Sequence, residues 1–294
     1  MKRVVYDCHT HTYLCGHAEN VPPRVFHKIA NNQNMRGFAF CCHNPFINDD
    51  FCPSYCMPFS SFTTFLELYR QESAFCAQNY PNLELLLAME VDYCSDARKT
   101  KAFVDLTADF DFLLGSIHND DELHQISFLS RRDYVSKYVK QWKEAVSTGW
   151  FQIMSHYDYF RAYFGDQWYL DNMNQYKDDL EGGIIYLNEI NKERARNGEE
   201  LIALECNTGG IQYGDDKYMP TEQLLQLAIN LGIPISIGSD CHYQNEVGRQ
   251  FKQCFTDLQN MGLKELCYFK KKRMQTYSIQ EAIELNKKFD SIND

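Results

Sequence analysis

Asp7-Cys8-His9-Thr10-His11, followed six residues on by His17, decides how this chain is read. The stretch continues the apolar run Val4-Val5-Tyr6, which predicts a strand whose carboxyl end carries histidines at i and i+2. Successive side chains on a strand point to opposite faces, so this spacing sets both imidazoles on one side. Two neutral imidazoles converging on a point offer a divalent transition metal a pair of borderline-soft nitrogen lone pairs. Strand alternation also produces such pairs without any metal, so the reading turns on whether other segments send ligands to the same place.

Working outward, apolar segments that read as strands run over 3–7, 37–42, 83–92, 111–118, 150–156, 201–207 and 234–240. Most are near-continuous apolar runs, the pattern of strands buried on both faces. Between them lie stretches long enough for crossover helices, at 60–79, 131–148, 172–197 and 221–231, the last opened by Pro220-Thr221 and closed by Gly232. Strand alternating with helix predicts a parallel α/β sheet or barrel in one domain spanning residues 1–294, with one more short strand or connector from Tyr268 and a terminal helix over 280–289.

Composition narrows the function classes. A formal charge of -11 disfavours polymeric nucleic acid as a partner, because phosphate backbones reward basic surfaces. Lys270-Lys271-Lys272-Arg273 reads as a solvated turn. No apolar stretch of about twenty residues is present to span a bilayer, and Met1-Lys2-Arg3 runs straight into the first strand, leaving no room for a signal peptide. The expectation is a cytoplasmic protein whose 12 cysteines are reduced, with Cys41, Cys42 and Cys206 serving as small core residues.

The informative pattern is what ends each strand. Strand one ends in His9 and His11, strand two in His43, and strand three carries Glu90; strand four ends in His118, strand five in His156 and strand seven in Asp240-Cys241-His242. Strand six ends in the polar, glycine-rich Glu205-Cys206-Asn207-Thr208-Gly209-Gly210. In a parallel α/β barrel these ends share the face where active sites are built. Of 9 histidines only His27 and His124 fall elsewhere. Seven histidines with Glu90 and Asp240 are too many for one tetrahedral ion and suit two or three ions of zinc, manganese or iron.

This ordered set, together with Gly115-Ser116-Ile117-His118, Ser155-His156-Tyr157-Asp158 and Val247-Gly248, resembles the polymerase-and-histidinol-phosphatase (PHP) superfamily, and within it the histidinol-phosphate phosphatases. The motifs span residues 7–250. The resemblance implies a distorted, TIM-like (β/α)7 barrel with a trinuclear site. It places one metal on His9, His11, Glu90 and Asp240, a second on Glu90, His118 and His156, and a third on His17, His43 and His242, with Asp7 orienting a ligating imidazole. Arg161, five residues after His156, matches a basic position of the family.

The chain departs from the family pattern at three places. Cys41-Cys42-His43 replaces Thr-Asp-His, the segment 119–124 lacks the usual aromatic and glycine-rich sequence, and Ile211-Gln212-Tyr213-Gly214 lacks an expected arginine. The function expected is a metal-dependent phosphatase of a small phosphorylated substrate, L-histidinol phosphate in histidine biosynthesis. Clustered ions acidify a shared water and align the phosphoryl oxygens. The catalytic set expected is Arg161, Asp158, Asp240 and His242, and the phosphate contacts expected are Arg161, Asn207, Lys217 and His242. The alternatives are a related enzyme for another phosphomonoester, a cyclic phosphodiester or a nucleotide, and a non-catalytic metal-binding module.

Overall fold

A computed structural model of the chain describes residues 2–47, 53–118, 123, 130–212 and 217–293. Seven strands run parallel in chain order: β1 (Tyr6–Thr10), β2 (Gly37–Phe40), β3 (Glu84–Asp92), β4 (Phe112–Ser116), β5 (Ile153–Met154), β6 (Ala203–Asn207) and β7 (Ile235–Gly238). β8 (Glu265–Lys270) adds in parallel to β7, and β9 (Arg273–Ser278) returns antiparallel, so the sheet holds 9 strands. Every residue of β1, β2, β4, β6 and β7 is buried, as expected of strands covered on both faces.

Where one extra strand or connector is expected after Tyr268, a hairpin forms instead. Its turn is Lys271, which is exposed, and Lys272, which is half-buried, both left-handed, so the basic run is a turn. The long helix Asp166–Arg196 begins earlier than expected, whereas Arg131–Thr148 lies where it is expected. The Ser130 side chain accepts from Asp133 N at the start of the latter, and left-handed Gly149 ends it. No described helix is long and apolar enough to cross a membrane. The described cysteines are free and buried, while Cys52 and the segment 119–122 and 124 lie outside the described residues.

Two shifts in strand boundaries bear on the site. β1 begins and ends three residues later than expected, which carries His9 inside the strand. β5 is cut to Ile153–Met154 because the backbone N–H of His156 leaves the ladder and donates to the carboxylate of Glu205 at 3.0 Å. Just past the strands, Asp240 N donates to His9 O at 2.9 Å and His11 N donates to Cys241 O at 3.0 Å, which draws the ends of β1 and β7 together.

The helix Arg131–Thr148 packs Trp142 against Tyr157, ring centroids 4.4 Å apart, directly beside His156. Trp142 is fully buried. Trp142→Ala is expected to lower stability by about 3–5 kcal/mol, read from urea denaturation, because the indole leaves a cavity under the end of β5.

Candidate metal centre

β3 threads its carboxylate, Glu90, into the middle of the strand-end histidines. Glu90 Oε2 lies 3.0 Å from His43 Nδ1, 3.2 Å from His9 Nε2 and 3.5 Å from His11 Nε2. Its Oε1 lies 2.8 Å from His156 Nε2 and 3.5 Å from His118 Nε2, and accepts from Ser116 Oγ at 2.6 Å. Asp240 enters from the segment after β7, with Oδ1 3.1 Å from His11 Nε2 and 3.5 Å from His9 Nε2. Its backbone is left-handed, φ 51°, a conformation that a short polar side chain tolerates and that turns the carboxylate back over β1.

The donor set fits divalent cations. His9 Nε2, His43 Nδ1, Glu90 Oε2 and His242 Nε2 are buried without a hydrogen-bond partner although they face one another across the cluster. Buried polar atoms of this kind normally find partners, and here their lone pairs converge. Three overlapping sets have ligand atoms within 4.8 Å of one another: His9, His11 and Glu90; His43, Glu90 and His118; His11, His43 and His242. This partition differs from the one the family resemblance implies, since His43 stands beside Glu90 and His118 as well as beside His11 and His242. His17 sits at the exposed rim, its ring 4.2 Å from that of His242 and 5.3 Å from that of His43.

Two further carboxylates orient the imidazoles. Glu205 Oε1 pairs with His9 Nδ1 at 2.7 Å, and Asp92 Oδ1 is hydrogen-bonded to His118 Nδ1. In each case the carboxylate occupies one ring nitrogen and turns the other inward, the usual arrangement behind a ligating histidine. Sequence reading missed both residues as orienting groups. They stand at i+2 positions, Glu90 to Asp92 and Glu205 to Asn207, so the alternation that pairs His9 with His11 also places them on the site face.

Charge is divided unequally. Burial opposes protonation of His9, yet Glu205, Asp240 and Glu90 together hold its pKa well above the ordinary histidine value. Burial likewise opposes protonation of His118, and Asp92 and Glu90 overcome it, raising its pKa to about 9. Burial and then His242 lower His11, and burial with His242 and His43 lowers His17 to about 4. Although burial disfavours the charge of Glu90, the imidazoles of His43, His9 and His118 keep its carboxyl group well below the usual range.

Of the expected phosphate contacts, His242 lines the cavity over the cluster, whereas Arg161, Asn207 and Lys217 do not. Arg161 is fully buried, donates from Nη1 to Tyr218 O at 2.8 Å, lies 3.6 Å from Asp158 Oδ2, and is not in the wall of the cavity over the cluster. Asp158 in turn accepts from Thr221 N at 2.9 Å, at the start of the helix Glu222–Asn230. A buried guanidinium must find a carboxylate and carbonyls, and these bonds tie the segment after β5 to that helix. Lys217 Nζ is held by Asp257 at 3.3 Å, away from the cavity. Asn207 donates to Asp240 Oδ2 at 3.1 Å and so positions that carboxylate. Asp7 has no hydrogen bond to a described imidazole ring: it accepts from the backbone N–H groups of His9, Ser239 and Gly248, clamping β1 to the chain beyond β7.

The cavity over the cluster has a volume of about 270 Å3, and its walls include His17, His118, Tyr159, Gln212, His242 and Tyr243. Tyr159 and Tyr243 carried no sequence signal, and Gln212 stood out only as part of the segment lacking an expected arginine, because their approach depends on three separate segments after β5, β6 and β7. Tyr213 and Gly214 lie outside the described residues.

The PHP domain model matches residues 7–208. A Deinococcus radiodurans protein called "Probable histidinol-phosphatase" is 26% identical over 278 residues, covering 92% of this chain and 98% of its own. A Clostridium acetobutylicum protein of the same name is 24% identical, covering 68% of this chain and 76% of its own. The crystal structure of histidinol phosphate phosphatase from Lactococcus lactis subsp. lactis Il1403, complexed with zinc, L-histidinol and phosphate, superposes with a TM-score of 0.68 at 18% identity. The superposition covers 92% of this chain and 98% of that one, a likeness of fold.

Glu205→Gln is expected to weaken zinc binding about 10–100-fold, measured by competition with a chromophoric chelator, because His9 loses the carboxylate that aims it. Gly238→Ala acts in the same direction, since a methyl group at that position collides with Glu205 Oε1 and His9 Cβ. Lys217→Ala is expected to leave zinc affinity and activity unchanged, since Lys217 Nζ pairs with Asp257.

Proposed function

The chain belongs to the PHP domain family, and from that premise we propose that it is a divalent-metal-dependent phosphatase of a small phosphomonoester, with L-histidinol phosphate the substrate and L-histidinol and phosphate the products. The observation that carries this reading is the buried Glu90 carboxylate, ringed by imidazole nitrogens at the floor of a cavity of about 270 Å3. His9, His11, His43, Glu90, His118, His156 and Asp240 would hold the ions, with His17 and His242 completing the set at the rim. Two or three divalent ions fit this number of donors, zinc being the ion in the Lactococcus lactis structure. When bound, such ions polarise phosphoryl oxygens and acidify water, which phosphate-ester hydrolysis requires because its uncatalysed rate is very slow.

The remaining residues give shape to that chemistry. Glu205 and Asp92 fix the rings of His9 and His118, and Asn207 fixes Asp240. Of the exposed large apolar side chains among the described residues, Tyr13, Tyr163, Ile211 and Tyr243 lie in the segments after β1, β5, β6 and β7, Leu106 and Ile185 lie elsewhere, and Tyr243 lines the cavity. A small ester with a flat organic part suits that cavity, and the charge of -11 disfavours polymeric nucleic acid. The same reading treats residues 1–294 as one domain whose first seven strands close as a distorted barrel, supported by the hydrogen bonds joining β1 to the end of β7. A reducing cytosol and a place in histidine biosynthesis go with it.

One observation favours a different ester within the same chemistry: Arg161 and Lys217, the expected phosphate cations, are both engaged away from the cavity. A panel of phosphomonoesters, cyclic phosphodiesters and nucleotides decides between them. Zinc-loaded protein is expected to release phosphate fastest from L-histidinol phosphate, to lose that activity on chelation, and to lose at least about 100-fold in His9→Ala with unchanged circular dichroism. Equal activity with and without metal ends the phosphatase reading, and a preference of more than about tenfold for another ester ends the histidinol assignment.

A further inference from the structure

Gln212 and Arg249 form a pair whose geometry fixes what the cavity presents to an anion. Gln212 follows β6, is exposed, and lines the cavity beside His242 and Tyr243. Arg249 follows β7, and with the Gln212 amide oxygen turned toward it the guanidinium donates from Nη2 at 3.0 Å and also from Nη1. A guanidinium has donors only, so the amide oxygen must face it. The –NH2 group is thereby the part of the amide left for the cavity.

Arg249 is itself anchored. Its Nη2 lies 3.0 Å from Glu246 Oε2, and that oxygen also accepts from the backbone N–H groups of His242 at 3.0 Å and Tyr243 at 3.1 Å. One arginine therefore joins the chain after β6 to the chain after β7 at two adjoining cavity walls. A charge-assisted fork on the amide oxygen also polarises the amide and strengthens its N–H groups as donors.

We infer that Gln212 is a specificity-determining residue that donates its amide N–H to an oxygen of the phosphate group, and that Arg249 is the positioning residue that aims it. The inference rests on the phosphatase reading and deepens it at the same cavity. A neutral donor held by a cation one residue removed serves a phosphate here in place of a direct cation, since the segment 211–214 contains none.

Inorganic phosphate binding to the zinc-loaded full chain, measured by calorimetry alongside KM and kcat for the preferred ester, tests it. Gln212→Glu, which turns the donor into an anion, is expected to weaken phosphate binding and raise KM at least about tenfold with kcat changed less than about threefold and zinc content unchanged. Gln212→Met is expected to give a smaller loss in the same direction. Arg249→Met should weaken phosphate as Gln212→Met does and add nothing to it in the double variant. Unchanged phosphate affinity in both Gln212 variants, or additive losses in the double variant, overturns the inference while leaving the phosphatase reading intact. Wild-type protein that neither binds phosphate nor hydrolyses any ester overturns both.

Discussion

A carboxylate buried without solvent is costly unless positive or hydrogen-bonding groups surround it, and Glu90 at 1% exposure is the point around which this molecule meets that requirement. Ser116 donates to one of its oxygens, and imidazoles from the ends of β1, β2, β4 and β5 face both. The histidines cannot all be charged together. His9 and His118, each backed by another carboxylate, have their pKa raised, while burial and neighbouring imidazoles lower those of His11, His17 and His242. Neutral imidazoles around a buried anion are a ligand set, and a carboxylate behind an imidazole increases its basicity toward a cation.

The parallel sheet is what permits this convergence. Strands running in one direction, each covered on both faces, deliver all their carboxyl ends to one surface, so ligands far apart in sequence meet with no large loop rearrangement. Asp7 shows how tightly the join is held: one buried carboxylate accepts from the backbone of β1, from Ser239 and from Gly248. That clamp fixes Asp240 and His242 against His9 and His11. Ligand placement is therefore a property of the rigid sheet, whereas the wall that faces a substrate is built from the connecting segments.

That division explains which residues were legible. The helix Arg131–Thr148 could be read as the long stretch between two apolar strand runs, and the strand-end histidines could be read because alternation at i and i+2 is local. Applied to Glu90-Val91-Asp92 and Glu205-Cys206-Asn207, the same alternation identifies Asp92 and Glu205 as site-facing, although neither stands out as histidine does. The partners of Arg161 and Lys217 were not legible, for the opposite reason. A charge near a motif says nothing about its partners, and Asp158 and Asp257 claimed these two first.

Asp7-Cys8-His9-Thr10-His11 and its counterparts at the other strand ends determined, by side-chain alternation and strand polarity alone, that this is a parallel α/β protein with a histidine-and-carboxylate cluster on one face. Family membership follows from the order of those motifs. Tertiary structure alone decided that Glu90 is the hub, that Glu205 and Asp92 stand behind the rings, that Asp7 binds backbone, and that Gln212 meets Arg249. Each depends on a distance between segments set by packing and by competition for buried hydrogen-bond partners, and no local spacing encodes that competition.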